Sequence, residues 1–368
     1  MLYRKGTQMK ILITFLVFLN ISTVCAAEYS SVPNSGRIGK HPKADVPFDI
    51  DYLKSVWKKR ILAIKVDGKL PIIDIESSFD PNDVDARDYA KAMDKNGIAL
   101  TAFSPQIGKK KYKKQGVLWH DGARRAVGVD PARYIPASTA GIYPAFTEGP
   151  LVFVEKTISK VRDESYPLMG EFEFRHYMSP RQYKRGETYR DVTVPIDSEA
   201  GHKLFKFSQD SGISFQIHYE VEDHLLRPLE NMLAEYPKAT VIWCHLGQVR
   251  YSKRAKNYGP EYVRSLIEKY PNIYFDLAFG DADSTYPDSN EHHATVWISS
   301  GRVKSTWVQL INDHPYRFLA ALDIGGDRIE NVSKNTQNLR AFMSGLSKET
   351  QEIVAYKAAW KLLFNEDI

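Results

Sequence analysis

Phe215-Gln216-Ile217-His218-Tyr219-Glu220, a helical pattern over residues 225–236, and Val241-Ile242-Trp243-Cys244-His245-Leu246-Gly247 together decide the fold. Each outer piece is a short apolar run that ends in a histidine. The middle piece repeats its apolar residues at Leu225, Leu226, Leu229, Met232 and Leu233, a helical period. Continuous apolar runs suit parallel strands buried on both faces. Parallel neighbours need a crossover of a dozen or more residues between them, usually a helix. The stretch therefore predicts a strand–helix–strand unit with a polar group at the same end of both strands.

Outward from it the unit repeats. Eight strand candidates fall at residues 71–75, 98–103, 134–137, 168–174, 214–217, 240–244, 273–277 and 318–322. Helical patterns at 151–162, 200–211, 225–236, 262–270 and 305–313 lie between them. Eight strands alternating with helices predict an α/β fold, a closed (β/α)8 TIM-like barrel over residues 71–368. A doubly wound open sheet is the alternative, but no glycine-rich phosphate turn follows the first strand. Residues 28–70 read as a short N-terminal extension, a proline-spotted arm followed by an amphipathic helix around 52–66. The lysine-rich residues 109–114 read as a solvated loop. The long polar segment 280–301 reads as a candidate lid.

The chain has 368 residues, 50 Lys+Arg against 45 Asp+Glu, and 2 Cys. Residues 1–27 carry Arg4, Lys5 and Lys10, an apolar run at 11–18, and Val24-Cys25-Ala26-Ala27. A basic start, a short apolar run and small residues at the end make a signal peptide. The expectation is a periplasmic or secreted protein with no stable membrane insertion after cleavage. Removing the segment leaves 47 basic against 45 acidic residues and one cysteine, Cys244, so no internal disulfide forms. That near-neutral balance argues against a nucleic-acid partner. A small-molecule substrate is expected, and a homo-oligomer is left open.

A barrel enzyme carries its chemistry at the C-terminal strand ends. Here His218, His245 and Asp323 each end an apolar run, and Glu76 ends Ile72-Ile73-Asp74-Ile75. Two imidazoles with carboxylates make a divalent-metal set. In Gly170-Glu171-Phe172-Glu173-Phe174, strand alternation puts Glu171 and Glu173 on one side, and Glu173 joins the ligand candidates. Arg175, Arg250 and Arg328 can grip a carboxylate bidentately, and Glu220 beside His218 adds a substrate contact. Trp119, Tyr143, Trp243, Tyr286 and Trp297 fall near loops or strand ends, where some can line a pocket.

These motifs resemble those of the amidohydrolase-related, metal-dependent hydrolase family. Trp243-Cys244-His245-Leu246-Gly247 is similar to its sixth-strand motif and Ile217-His218-Tyr219-Glu220 to its fifth. Asn272-Ile273-Tyr274-Phe275-Asp276 resembles the seventh strand, and Pro315-Tyr316-Arg317-Phe318 the approach to the eighth-strand Asp323. Residues 358–364 resemble the closing helix. The likeness spans about residues 71–366. It implies a distorted TIM barrel binding one divalent metal ion (Zn, Mn or Mg). The reaction implied is C–N or C–O hydrolysis of a small molecule by a metal-activated water. It also implies that His218 and Asp323 are ligands, that Asp323 is the base, and that His245 is a ligand or an electrophile.

The first strand departs from the family pattern, since Glu76 and Ser78 stand where His-x-His is usual. The metal set carried forward is Glu76, Glu173, His218 and Asp323, with Asp323 and His245 catalytic and Arg175, Glu220 and Arg250 binding substrate. Three other readings stay open. One is a non-oxidative decarboxylase on the same scaffold. Another is a ligand-binding barrel that has lost its metal. The third is a glycosidase using Glu171 or Glu173 with Asp276.

Overall fold

The computed structural model describes residues 32–368 except 108, 279–281, 283–284, 287–290, 293–295, 300 and 327. The signal-like residues 1–27 and much of 280–301 therefore lie outside the described residues.

Barrel strands occur at all eight expected places: β1 (Ile72–Asp74), β2 (Ile98–Pro105), β3 (Tyr134–Pro136), β4 (Leu168–His176), β5 (Ser214–Tyr219), β6 (Val241–Trp243), β7 (Ile273–Asp276) and β8 (Phe318–Leu319). Neighbours pair in parallel from β1 to β3 and from β4 to β8. The bridge Ala137↔Leu168 joins β3 to β4. The ring closes between first and last strands. Ile75 N donates to Ala320 O at 3.1 Å, Asp323 N donates to Glu76 O at 3.1 Å, and Gly325–Gly326 pairs with Ser78–Phe79. β8 is shorter than its apolar run because Ala320 N donates to Val354 O at 3.0 Å and Leu322 N to the Asp74 carboxylate at 2.9 Å instead of to strand carbonyls.

The helices follow their apolar periods and local caps. Ser198 caps Glu199–Ser211, and Pro150 and Pro260 start their helices, where a missing N–H costs nothing. The helix Ile50–Val66 is integral to the core. It buries Leu53, Trp57 and Ile61, and Arg60 Nε donates to Ala99 O at 2.7 Å near the start of β2. Arg60 Nη2 also reaches Asp94 Oδ1 at 2.6 Å, so this buried charge is paired. The backbone of Lys109–Gln115 is helical where a loop was expected. Lys and Gln are unbranched at Cβ and favour the helix. No helix among the described residues is long and apolar enough to cross a membrane.

Candidate metal and active site

β4 and β5 are registered with Glu171 opposite Gln216 and Glu173 opposite His218. Gln216 Nε2 spans the lumen to Ile75 O at 2.6 Å, which shows that this parity of β5 faces inward. His218 therefore meets the inward carboxylates of β4. His245 reaches the same place by another route. Behind β6 the chain turns through left-handed conformations at His245 (φ 58, ψ 29) and Leu246 (φ 51, ψ 40). Its own N–H donates to Asp276 Oδ1 at 2.8 Å, and its ring Nδ1 lies 2.7 Å from Ala278 O.

Three donor atoms converge there. His218 Nδ1 is 2.7 Å from Glu171 Oε1, His245 Nε2 is 3.1 Å from Glu171 Oε1, and the two ring nitrogens are 3.1 Å apart. Because a carbonyl only accepts, Ala278 fixes the His245 proton on Nδ1. The Nε2 lone pair then faces a carboxylate oxygen and a second imidazole nitrogen, which needs a proton or a cation between them. Ligands at right angles about 2.1 Å from one ion would stand about 3 Å apart, the spacing seen. All three side chains are buried.

The surroundings are rich in negative charge. Glu76 is buried, and its Oε2 has no hydrogen-bond partner among the described residues. Burial, then the charges of Asp323 and Glu171, push its carboxyl well above the usual range. Burial likewise raises Asp276, against the pull of His245. Glu171 is the exception. Burial favours its neutral form, but His218 and His245 together outweigh this and hold it low. Both imidazoles are in turn raised: burial opposes their charge, and Glu171 overcomes it. A buried cluster with more carboxylates than imidazoles and an orphaned oxygen fits a bound cation.

The expected site residues separate in space. His218 and His245 meet on Glu171, the glutamate two residues before the expected ligand Glu173. Glu173 faces the same cavity but is engaged. Arg190 grips both of its oxygens, and Tyr143 N donates to Oε2 at 3.1 Å. Asp323 stands at the mouth with its side chain 46% exposed, 4.0 Å from Arg328. Arg175 turns from the cavity into Glu222 (2.9 Å) and Asp191 (2.6 Å), so a substrate contact there has no geometric support. Glu220 is buried between His218 Nε2 (2.9 Å) and Arg250 (3.1 Å) and does not line the cavity. Arg250 does line it, as does Ser78.

His176 went unforeseen. It packs 4.7 Å from the His218 ring, and burial and then Arg190 hold it uncharged. The signal for it was its place at the end of β4, beside Arg175. Of the aromatic candidates, Tyr143 and Trp297 line the cavity and Trp243 is fully buried core. Trp119 packs against that core, and the Tyr286 side chain lies outside the described residues. The cavity measures about 560 Å³, ample for a small molecule.

A parallel barrel with a carboxylate–imidazole cluster at its C-terminal mouth defines a TIM-barrel protein with a candidate metal centre. The amidohydrolase family model matches residues 50–299, and the chain belongs to that family. Among solved structures it is similar to an uncharacterized TIM-barrel protein from Bordetella bronchiseptica, at 12% identity and a TM-score of 0.51, over 80% of this chain and 98% of that one. It is also similar to 5-carboxyvanillate decarboxylase from Sphingomonas paucimobilis (12% identity, TM-score 0.46, 80% and 99% covered). Dihydroorotase from Campylobacter jejuni matches at 11% identity and a TM-score of 0.47, with 81% and 85% covered. These are likenesses of fold. No curated protein matches the sequence.

Proposed function

We propose that the chain is a metal-dependent hydrolase that cleaves a C–N or C–O bond in a small molecule. The observation that carries this is the convergence of Glu171 Oε1, His218 Nδ1 and His245 Nε2 within 3.1 Å of one another. These residues would hold a divalent ion, which supplies Lewis-acid polarisation of a carbonyl and a more acidic water. Asp323, open to the cavity, accepts the proton of the attacking water and returns it to the leaving group. Asp276 and Ala278 fix the backbone and ring of His245, so its lone pair stays aimed at the centre. Glu220 and Arg250 brace the far side of His218.

Non-oxidative decarboxylation is the second reading, and one observation favours it. Five arginines, Arg181, Arg185, Arg190, Arg250 and Arg328, border the cavity, where guanidinium groups can bind a substrate carboxylate. Metal analysis of protein purified without chelator, followed by turnover of amides, lactones and aromatic acids, separates the readings. Stoichiometric metal with chelator-sensitive hydrolysis supports the first. Chelator-sensitive release of carbon dioxide supports the second. Protein that neither carries nor binds a divalent ion refutes both.

Export is likewise a proposal, resting on the signal pattern of residues 1–27. A mature mass beginning near Glu28 supports it, and an intact amino terminus refutes it.

A further inference from the structure

The cavity has two unlike ends. Its floor carries Glu171, His218 and His245, while its walls carry six cationic side chains against four carboxylates in all. Most of those cations are engaged. Arg190 is paired with Glu173, Arg250 with Glu220, and Arg328 lies 4.0 Å from Asp323. Arg181 and Arg185 are different. Both are exposed and line the cavity, and among the described residues neither guanidinium has a carboxylate within ion-pair distance.

The element that carries them is held in place. Pro180–Lys184 is a short helix closed by a full capping box between Ser179 and Gln182, with Arg185 at its C-cap. The chain that leaves it is pinned to β4: Val192–Thr193 pairs antiparallel with Arg175–His176, Arg190 holds Glu173, and the Arg190 carbonyl lies 2.6 Å from His176 Nδ1. Arg181 and Arg185 are four residues apart, so their like charges repel across one helical turn. An oxyanion between them would remove that repulsion and accept paired N–H donors from each planar fork. Tyr143 and Tyr189, with ring centroids 4.8 Å apart, line the same cavity and offer faces to a flat spacer.

We propose that Arg181 and Arg185 form an oxyanion subsite for a second acidic group of the substrate, remote from the group that reacts. The substrate class is then a small planar molecule with a carboxylate or phosphate at the end away from the floor. The placement of the reacting group rests on the metal-floor reading above.

The test is isothermal titration of wild-type and R181Q/R185Q protein, metal-free and metal-loaded. The probes are benzoate, terephthalate and 4-phosphonobenzoate. At least one two-ended probe is expected to bind about tenfold tighter than benzoate. In the double variant that advantage shrinks to within about twofold while benzoate affinity holds. A larger advantage for terephthalate assigns a carboxylate, and for 4-phosphonobenzoate a phosphate. The advantage is expected in metal-loaded protein; without metal all three probes are expected to bind through Arg181 and Arg185 alone and to weaken together in the double variant, so a floor that binds no metal sinks the hydrolase reading and leaves this one standing. Equal affinity for all three probes with metal bound, an advantage that survives in the double variant, unchanged affinity of the metal-free double variant, or no millimolar binding of either two-ended probe overturns it. Variants at Lys334, another cation lining the cavity, on the helix Val332–Met343 that follows β8, provide a second check. K334Q is expected to lower the two-ended probes' affinity by less than the double variant does, and an equal or larger loss reassigns the subsite.

Discussion

Glu171→Gln against Glu173→Gln is the sharpest test of the site. The two glutamates lie two residues apart on β4, face the same way and are both buried. Only Glu171 touches the imidazoles, at 2.7 and 3.1 Å. Replacing it with the isosteric amide keeps the shape and removes the one anionic member of the three converging donors. Outer-shell changes cost metal sites about 10–100-fold in affinity, so loss of a charged ligand should cost at least about 100-fold, or about 2.7 kcal/mol. Glu173→Gln should leave metal affinity within about twofold. It should instead lower stability by about 1–3 kcal/mol, because it takes the counter-charge from the half-buried Arg190 guanidinium. Titration of Mn²⁺ or Zn²⁺ into each variant, with urea unfolding of the metal-free forms, measures both effects. Equal loss of metal affinity in the two variants, or none with Glu171→Gln, refutes the assignment.

Asp323→Asn should lower turnover about 100-fold or more with metal stoichiometry intact; loss of the metal would instead make Asp323 a ligand. Gly247 has φ +70°, and a Cβ there would stand 2.5 Å from Tyr258 Oη. Gly247→Ala should therefore cost about 1–3 kcal/mol in urea unfolding, and an unchanged midpoint would contradict the geometry. Burial raises Glu222, but hydrogen bonds from Tyr177 and Arg175 outweigh it and hold the folded carboxyl below its usual range. Its stabilisation is thus complete above the unfolded value of about 4.3 and fades as pH falls through the lower folded value. Glu222→Gln should flatten that acid limb in urea midpoints taken against pH, and an unaltered slope counts against it.

The strands were legible because burial on both faces leaves an unbroken apolar run, which the sequence carries openly. Their ends were less so. The length of β8 depends on Val354 and Asp74, from other parts of the chain, accepting the Ala320 and Leu322 N–H groups. Within the site, His218 and His245 stood out because each ends an apolar run. The choice between Glu171 and Glu173 was hidden. Alternation places both on one side, and what divides them is Arg190, supplied by an excursion that no period announces. Arg175 shows the same limit. Its chemistry suited an anion, but its partners Asp191 and Glu222 come from elsewhere in the chain.

The left-handed turn behind β6 also bears on how this protein can change. His245 and Leu246 hold a conformation that costs an L-residue about 1–2 kcal/mol each, kept in place by Asp276 and by Tyr258 Oη donating to Leu246 O at 2.5 Å. Glycine or asparagine would sit there more comfortably. A library selected for heat resistance alone should therefore drift toward those residues at 245 and 246, discarding the imidazole. Selection on catalysis should keep His245 and tolerate the softer loop.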